Sequence, residues 1–243
     1  MTAVTPADRV PGGTRRGAGA LALLGGGEWR DGCRDLDVEL ASAAAAKEVV
    51  VIPAAAAFEH PERVHGRAIA HFEPLGTKVR TVPVLHRTEA DDPKHAEVVR
   101  RARFVYLPDG SPLHLRSVLK GSALFDALLA AYLGGASLAA SGAGATLIGD
   151  PMVDPRGGAY TVGLAVVPDL AVFPYHGRAA EHMRERSIDL LPPTAKLVGV
   201  DEETALVRDR DGKWRVAGTG VVTVYTGRTC REYGAGDAVT ELT

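Results

Sequence analysis

The sequence predicts an α/β protein: a doubly wound, mostly parallel sheet with helices on both faces, and antiparallel strands near the C-terminus. Three observations carry this. Short apolar, β-prone runs alternate with helix-compatible stretches along most of the chain. One run, Val49-Val50-Val51-Ile52, is apolar at every position, the pattern of a strand buried on both faces. Late in the chain, Asp209-Arg210-Asp211-Gly212 separates Ala205-Leu206-Val207 from Trp214-Arg215-Val216, which reads as a hairpin turn.

The elements follow in order. The first strand is placed at Ala20 to Leu24 and runs into Gly25-Gly26-Gly27-Glu28-Trp29. Glycines after a strand raise a phosphate loop, but neither G-x-G-x-x-G nor G-x-x-x-x-G-K-[ST] spacing is present. Close backbone approach to neighbouring strands is the better account. Leu36 to Ala46 is alanine-rich and helix-compatible, and the Val49–Ile52 strand ends in Pro53-Ala54-Ala55-Ala56-Ala57. Pro61 suits the first turn of a helix to about Phe72, with Gly76 past its end. Val79 to Leu85 is expected as a strand interrupted by Pro83, Pro93 to Arg101 as a helix, and Phe104 to Leu107 as a strand. Pro108-Asp109-Gly110 is a turn signal before a helix from His114 to Lys120. Leu170 to Phe173 is an apolar strand closing on Pro174-Tyr175-His176, Ala179 to Leu190 a charged helix, and Val221 to Tyr225 a further β segment.

The composition is that of a globular protein with a substantial core: 46% hydrophobic and 24% charged residues over 243 positions. A formal charge of −2 without a block of one sign gives no footing for nucleic acid or an acidic membrane surface. No apolar run approaches the ~20 residues of a membrane span. Cys33 and Cys230 lie far apart and outside any C-x-x-C spacing, so neither a disulfide framework nor a cysteine zinc site is expected. That usage suits a reducing cytosol. Residues 1–17 read as a disordered leader and 18–243 as a single domain; Arg15-Arg16 lacks the long apolar stretch of an export signal. Glu59, His60, Glu62, His65 and His71 do not have metal-ligand spacing, so mixed surface and packing roles are expected, with no cofactor.

The chemistry centres on Ala136 to Ala145. A short β-prone run turns through Ser141-Gly142-Ala143-Gly144-Ala145 into a helix-compatible segment, Ala143 to Ile148. Strand, sharp turn and helix make the geometry of a nucleophile elbow, in which the next backbone N–H contributes to an oxyanion hole. Ser141 has small neighbours at Ala139 and Ala143 and is one candidate nucleophile. Neighbouring residues leaving a strand point to opposite faces, so Ser141 and Gly142 cannot both face one site. A small residue packed beside the turn is the alternative for Ser141. His176, closing an apolar strand, is read either as a packed histidine or as a general base.

This stretch, with the glycine run after the first strand, Pro108 to Pro112, the strand ending at His176, and Gly199-Val200-Asp201-Glu202-Glu203-Thr204-Ala205-Leu206, resembles the serine peptidase family of cyanophycinase and aspartyl dipeptidase (peptidase E). The fold of that family is like the class I glutamine amidotransferases. The likeness covers about residues 18 to 226. The family's elbow reads G-[ST]-S-A-G-A, followed by G-[ED]-P-M. Ala143-Gly144-Ala145 and Gly149-Asp150-Pro151-Met152 fix the register, and the nucleophilic serine falls on Gly142.

The resemblance implies His176 as triad histidine and Glu202 as its acid, with Asp201 adjacent. It also implies oxyanion donors at Ala143 and in the loop carrying Gly110, where Pro108 and Asp109 depart from the family's G-G-[DNS]-[PQ]. A cytoplasmic, catalytically impaired relative that binds a small peptide-like ligand or a protein partner is the expectation, and a homo-oligomer is compatible with it. An active aspartyl-peptide hydrolase using Ser141, His176 and Glu202 is the alternative. An amidotransferase is disfavoured because the elbow carries no cysteine.

Overall fold

The computed structural model describes residues 17–242; the leader expected at residues 1–17 falls outside them except for its last residue. The main sheet has seven strands. In spatial order they are β13 (Trp214–Gly218), β12 (Thr204–Arg208), β1 (Leu21–Leu24), β5 (Ser137–Ser141), β4 (Phe104–Leu107), β2 (Glu48–Val51) and β3 (Lys78–Thr81). From β1 to β3 every pairing is parallel, while β12 and β13 are antiparallel additions at one edge. The predicted Asp209–Gly212 turn joins them, with Gly212 at φ 89°. β3 ends at Thr81, short of the expected Leu85, because Pro83 has no N–H for the ladder.

Helices cover both faces, as a doubly wound sheet requires. α1 (Arg34–Ala43) and α2 (Pro61–Phe72) bury Leu36, Leu40, Val64 and Phe72 against Ala22, Val49, Val51 and Ala139. The opposite face packs on α4 (Pro93–Arg101), α5 (Pro112–Leu119), α6 (Ala123–Leu133) and α7 (Ala143–Ile148), meeting Leu21, Leu23, Val50, Val105, Leu138 and Ala140. α3 (Arg87–Ala90) precedes α4. Each such side chain removed fully from water contributes about 1.5–3 kcal/mol before chain entropy is set against it.

A second, six-stranded sheet was not foreseen. Its order is β15 (Thr229–Tyr233), β14 (Val222–Thr226), β11 (Lys196–Val200), β10 (Leu170–Phe173), β6 (Gly149–Asp150) and β9 (Val167–Pro168). β10 and β11 are parallel, and β14 and β15 antiparallel. Leu170, Val172, Val198, Val200, Val222 and Val224 from one face of it join the core that α7 shares. The other face, Ala171, Phe173 and Leu197, packs on α8 (Glu181–Asp189) through Met183 and Ile188. β7 (Met152–Val153) and β8 (Tyr160–Thr161) form a small hairpin-like pair beside it. Thus the C-terminal strands divide: β12 and β13 extend the main sheet, and β14 and β15 extend the second.

Candidate functional site

Register places the site. In the parallel pair β4–β5, Leu107 stands opposite Ala140, and in β1–β5, Leu24 stands opposite Ser141. The loops leaving β4, β5 and β1 therefore emerge side by side at the carboxyl edge of the sheet, where open α/β sheets carry their ligand crevices. Asp109, Gly142 and the Gly25–Glu28 run meet there.

The strand–turn–helix elbow is present as the sequence predicts. Gly142 carries φ 48° and ψ −104°, a strained conformation that L side chains rarely adopt, and α7 begins at Ala143. A Cβ built on Gly142 would lie closer than 3.0 Å to all three carboxyl atoms of Asp109. The Asp109 side chain thus fills the volume in which a side chain at position 142 would start.

That carboxylate also takes the two backbone N–H groups expected as oxyanion donors. Asp109 Oδ1 accepts the N–H of Ala143 at 2.6 Å and of Gly110 at 2.7 Å. Its Oδ2 accepts the hydroxyl of Tyr175. Burial and the negative charge of Asp109 push the Tyr175 phenol far up, so it stays a neutral donor. The tyrosine ring lies against Gly26, where a Cβ would collide with it. Tyr175 itself turns in the left-handed region at φ 54°, its N–H bonded to the Gly25 carbonyl at 2.7 Å. Neither Tyr175 nor the part played by Asp109 was foreseen. The departure from the glycine loop was the available signal.

Ser141 lies on the other face. Strand alternation puts Ser137, Ala139 and Ser141 toward α1 and α2, and Leu138 and Ala140 toward α7. Ser137 Oγ donates to the Leu40 carbonyl at 2.7 Å. Ser141 Oγ, fully buried, donates to Glu28 Oε2 at 2.9 Å. Glu28 is 4% exposed and pairs through Oε1 with Arg67 at 3.2 Å. Burial, then the Asp109 charge, raises its pKa.

His176 packs on the second sheet. Its Nε2 and the Tyr225 hydroxyl are 2.8 Å apart, its ring meets Phe173 edge-on, and a Cβ on Gly199 would strike it. None of its described contacts is to Gly142, Ser141 or Asp109. The carboxylate facing it is Asp201, Oδ1 to Nδ1 at 3.9 Å, rather than Glu202. Burial lowers the His176 pKa, favouring the neutral ring. Glu202 instead pairs with Arg178 at 2.7 Å and Arg30 at 3.7 Å. The contacts therefore join Gly142, Ala143, Gly110 and Asp109, turn Ser141 toward Glu28, and pair His176 with Tyr225 and Glu202 with Arg178.

The histidines weighed as metal ligands are dispersed. His60 pairs with Glu62 on the surface, His65 with Thr81, and buried His71 with buried Asp37 at 2.8 Å.

A cavity of about 280 Å³ opens on Asp109. Gly110, Ala143, Thr146 and Tyr175 also line it, together with the apolar Val153, Pro155, Phe173 and Met183.

A profile of peptidase family S51 matches residues 21–215, a span that includes β1, the Asp109 loop, the elbow and His176. The chain belongs to peptidase family S51. Among its relatives is the cyanophycinase of Trichormus variabilis, 26% identical over 227 residues, covering 89% of this chain and 75% of that protein. The cyanophycinase of Geminocystis herdmanii is 25% identical over 198 residues, covering 74% and 70%. In structure, the chain resembles a peptidase from an acI-B1 Actinobacterium, with TM-score 0.83, 26% identity, and 93% and 98% of the two chains covered. A putative peptidase E protein from Listeria monocytogenes shares the fold at TM-score 0.58 and 15% identity, with 90% and 100% covered. The apex of this chain's elbow is Gly142. No described helix is long and apolar enough to cross a membrane.

Proposed function

We propose that this S51 protein does not hydrolyse peptides by a serine mechanism and instead uses the site as a ligand-binding cavity. One observation carries the reading. The Asp109 carboxylate occupies both the space of a side chain at Gly142 and the two N–H donors that would stabilise a tetrahedral oxyanion. A carbonyl substrate would need that same position, and it would meet a negative charge there. Removing a nucleophile from such a site typically lowers the rate on the order of 10⁴-fold or more. Occupying the oxyanion donors removes a further ~10²–10³-fold.

Aspartyl and isoaspartyl dipeptides are the natural test substrates, given the cyanophycinase relatives. Wild type and Ser141→Ala should both be silent at high enzyme concentration. Wild-type turnover that disappears in Ser141→Ala would overturn the reading and make Ser141 the nucleophile. Ligand-induced thermal stabilisation without turnover, lost when cavity residues are changed, is the positive result.

A further inference from the structure

We infer that the cavity beside Asp109 takes a primary amine, its protonated head on Asp109 and its apolar body along Val153, Phe173 and Met183. This rests on the binding reading above and assigns the ligand its chemical class.

The charge balance comes first. Asp109 lines the cavity, and no Lys, Arg or His does so or forms an ion pair with Asp109 among the described residues. The carboxylate therefore has hydrogen-bond donors but no counter-charge, and a cationic ligand supplies one. Behind it stands Glu28, whose carboxyl is itself held up partly by the Asp109 charge. A ligand carboxylate is repelled by Asp109.

Hydrogen-bond capacity then selects the head group. An ionised carboxylate has about four acceptor sites. Three donors already serve Asp109: the N–H groups of Gly110 and Ala143 on Oδ1, and the Tyr175 hydroxyl on Oδ2. Oδ2 keeps acceptor capacity. Tyr175 spends its proton on Asp109, which leaves its oxygen as an acceptor. An ammonium brings donors and no acceptor, which matches the acceptor capacity left on Asp109 Oδ2 and Tyr175 Oη. The apolar walls fit a hydrocarbon body and give no partner to a second polar end.

The probes are n-butylamine and phenethylamine, against n-butanol and butyrate, titrated calorimetrically into the full chain at pH 7. Both amines should bind, with the alcohol and the acid at least ten-fold weaker. Asp109→Asn keeps an acceptor for the two N–H groups, removes the charge and turns the oxygen facing Tyr175 into a donor; it should weaken the amines ten-fold or more. Tyr175→Phe, which removes the Oη acceptor, should weaken them about three- to ten-fold. Thermal melts establish that both variants are folded, and either one suffices to read the result. Equal binding of butanol, or amine affinity unchanged in both variants, would overturn the ammonium assignment. Preference for butyrate would overturn it too, while leaving the binding reading intact. Only dipeptide turnover by the wild type, measured separately, strikes at that reading.

Discussion

Asp109 and Gly142 share one volume: the carboxylate of the first stands where a side chain on the second would begin. The two positions lie at the carboxyl ends of adjacent parallel strands, with Leu107 opposite Ala140 two residues before each. A glycine at the elbow and an aspartate in the neighbouring loop are therefore coupled. The volume that Asp109 fills is open because residue 142 has no side chain.

That coupling is measurable. Gly142→Ser alone should yield no hydrolase activity and cost about 1–3 kcal/mol, because Asp109 must be displaced. Asp109→Gly combined with Gly142→Ser should recover part of this loss. A double-mutant cycle from chemical denaturation should give a coupling energy of about 0.5–3 kcal/mol. Additive effects would mean that the two residues do not compete for space.

Removing Asp109 alone should expose the two N–H donors of Gly110 and Ala143. Asp109→Gly is then expected to gain stabilisation from a small carboxylate such as acetate, absent in the wild type, readable as an acetate-dependent rise in Tm. No difference between the two proteins would show the donors closed off by some other group.

Ser141→Ala should act on stability. It deletes a buried hydrogen bond and leaves Glu28 Oε2 without its donor, a loss of about 1–3 kcal/mol in denaturant melts. A stability equal to wild type would contradict the buried pairing.

Glu28 supplies a pH signature. Its folded pKa is raised above the ordinary 4.5, so its contribution to stability is fully present below that value and is lost as pH rises through the folded pKa. Glu28→Gln lacks this loss. The Tm of the variant relative to wild type should therefore increase from pH 5 to pH 8. A constant difference would place Glu28 in water.

Asp37 and His71 form a pair whose side chains are 0% and 3% exposed, with burial raising the Asp37 pKa. His71→Leu leaves that carboxyl buried without its partner. A loss of about 3–5 kcal/mol is expected by equilibrium denaturation, larger at pH 8 than at pH 5.

The sequence by itself determined the parallel sheet, the elbow and the glycine at its apex. Local patterns specify these: an all-apolar run for a doubly covered strand, small residues for a tight turn, and strand alternation that sets Ser141 and Gly142 on opposite faces. What only the tertiary structure decided is what fills the elbow. Asp109 and Gly142 are far apart in sequence, and Tyr175 comes from a second sheet that the run of strands did not announce. His176 was legible as a strand-end histidine, but the left-handed turn at Tyr175 brings the tyrosine to Asp109, while His176 packs on Tyr225. Which side chain enters a crevice depends on backbone dihedrals and on packing between sheets, and neither is written in local sequence pattern.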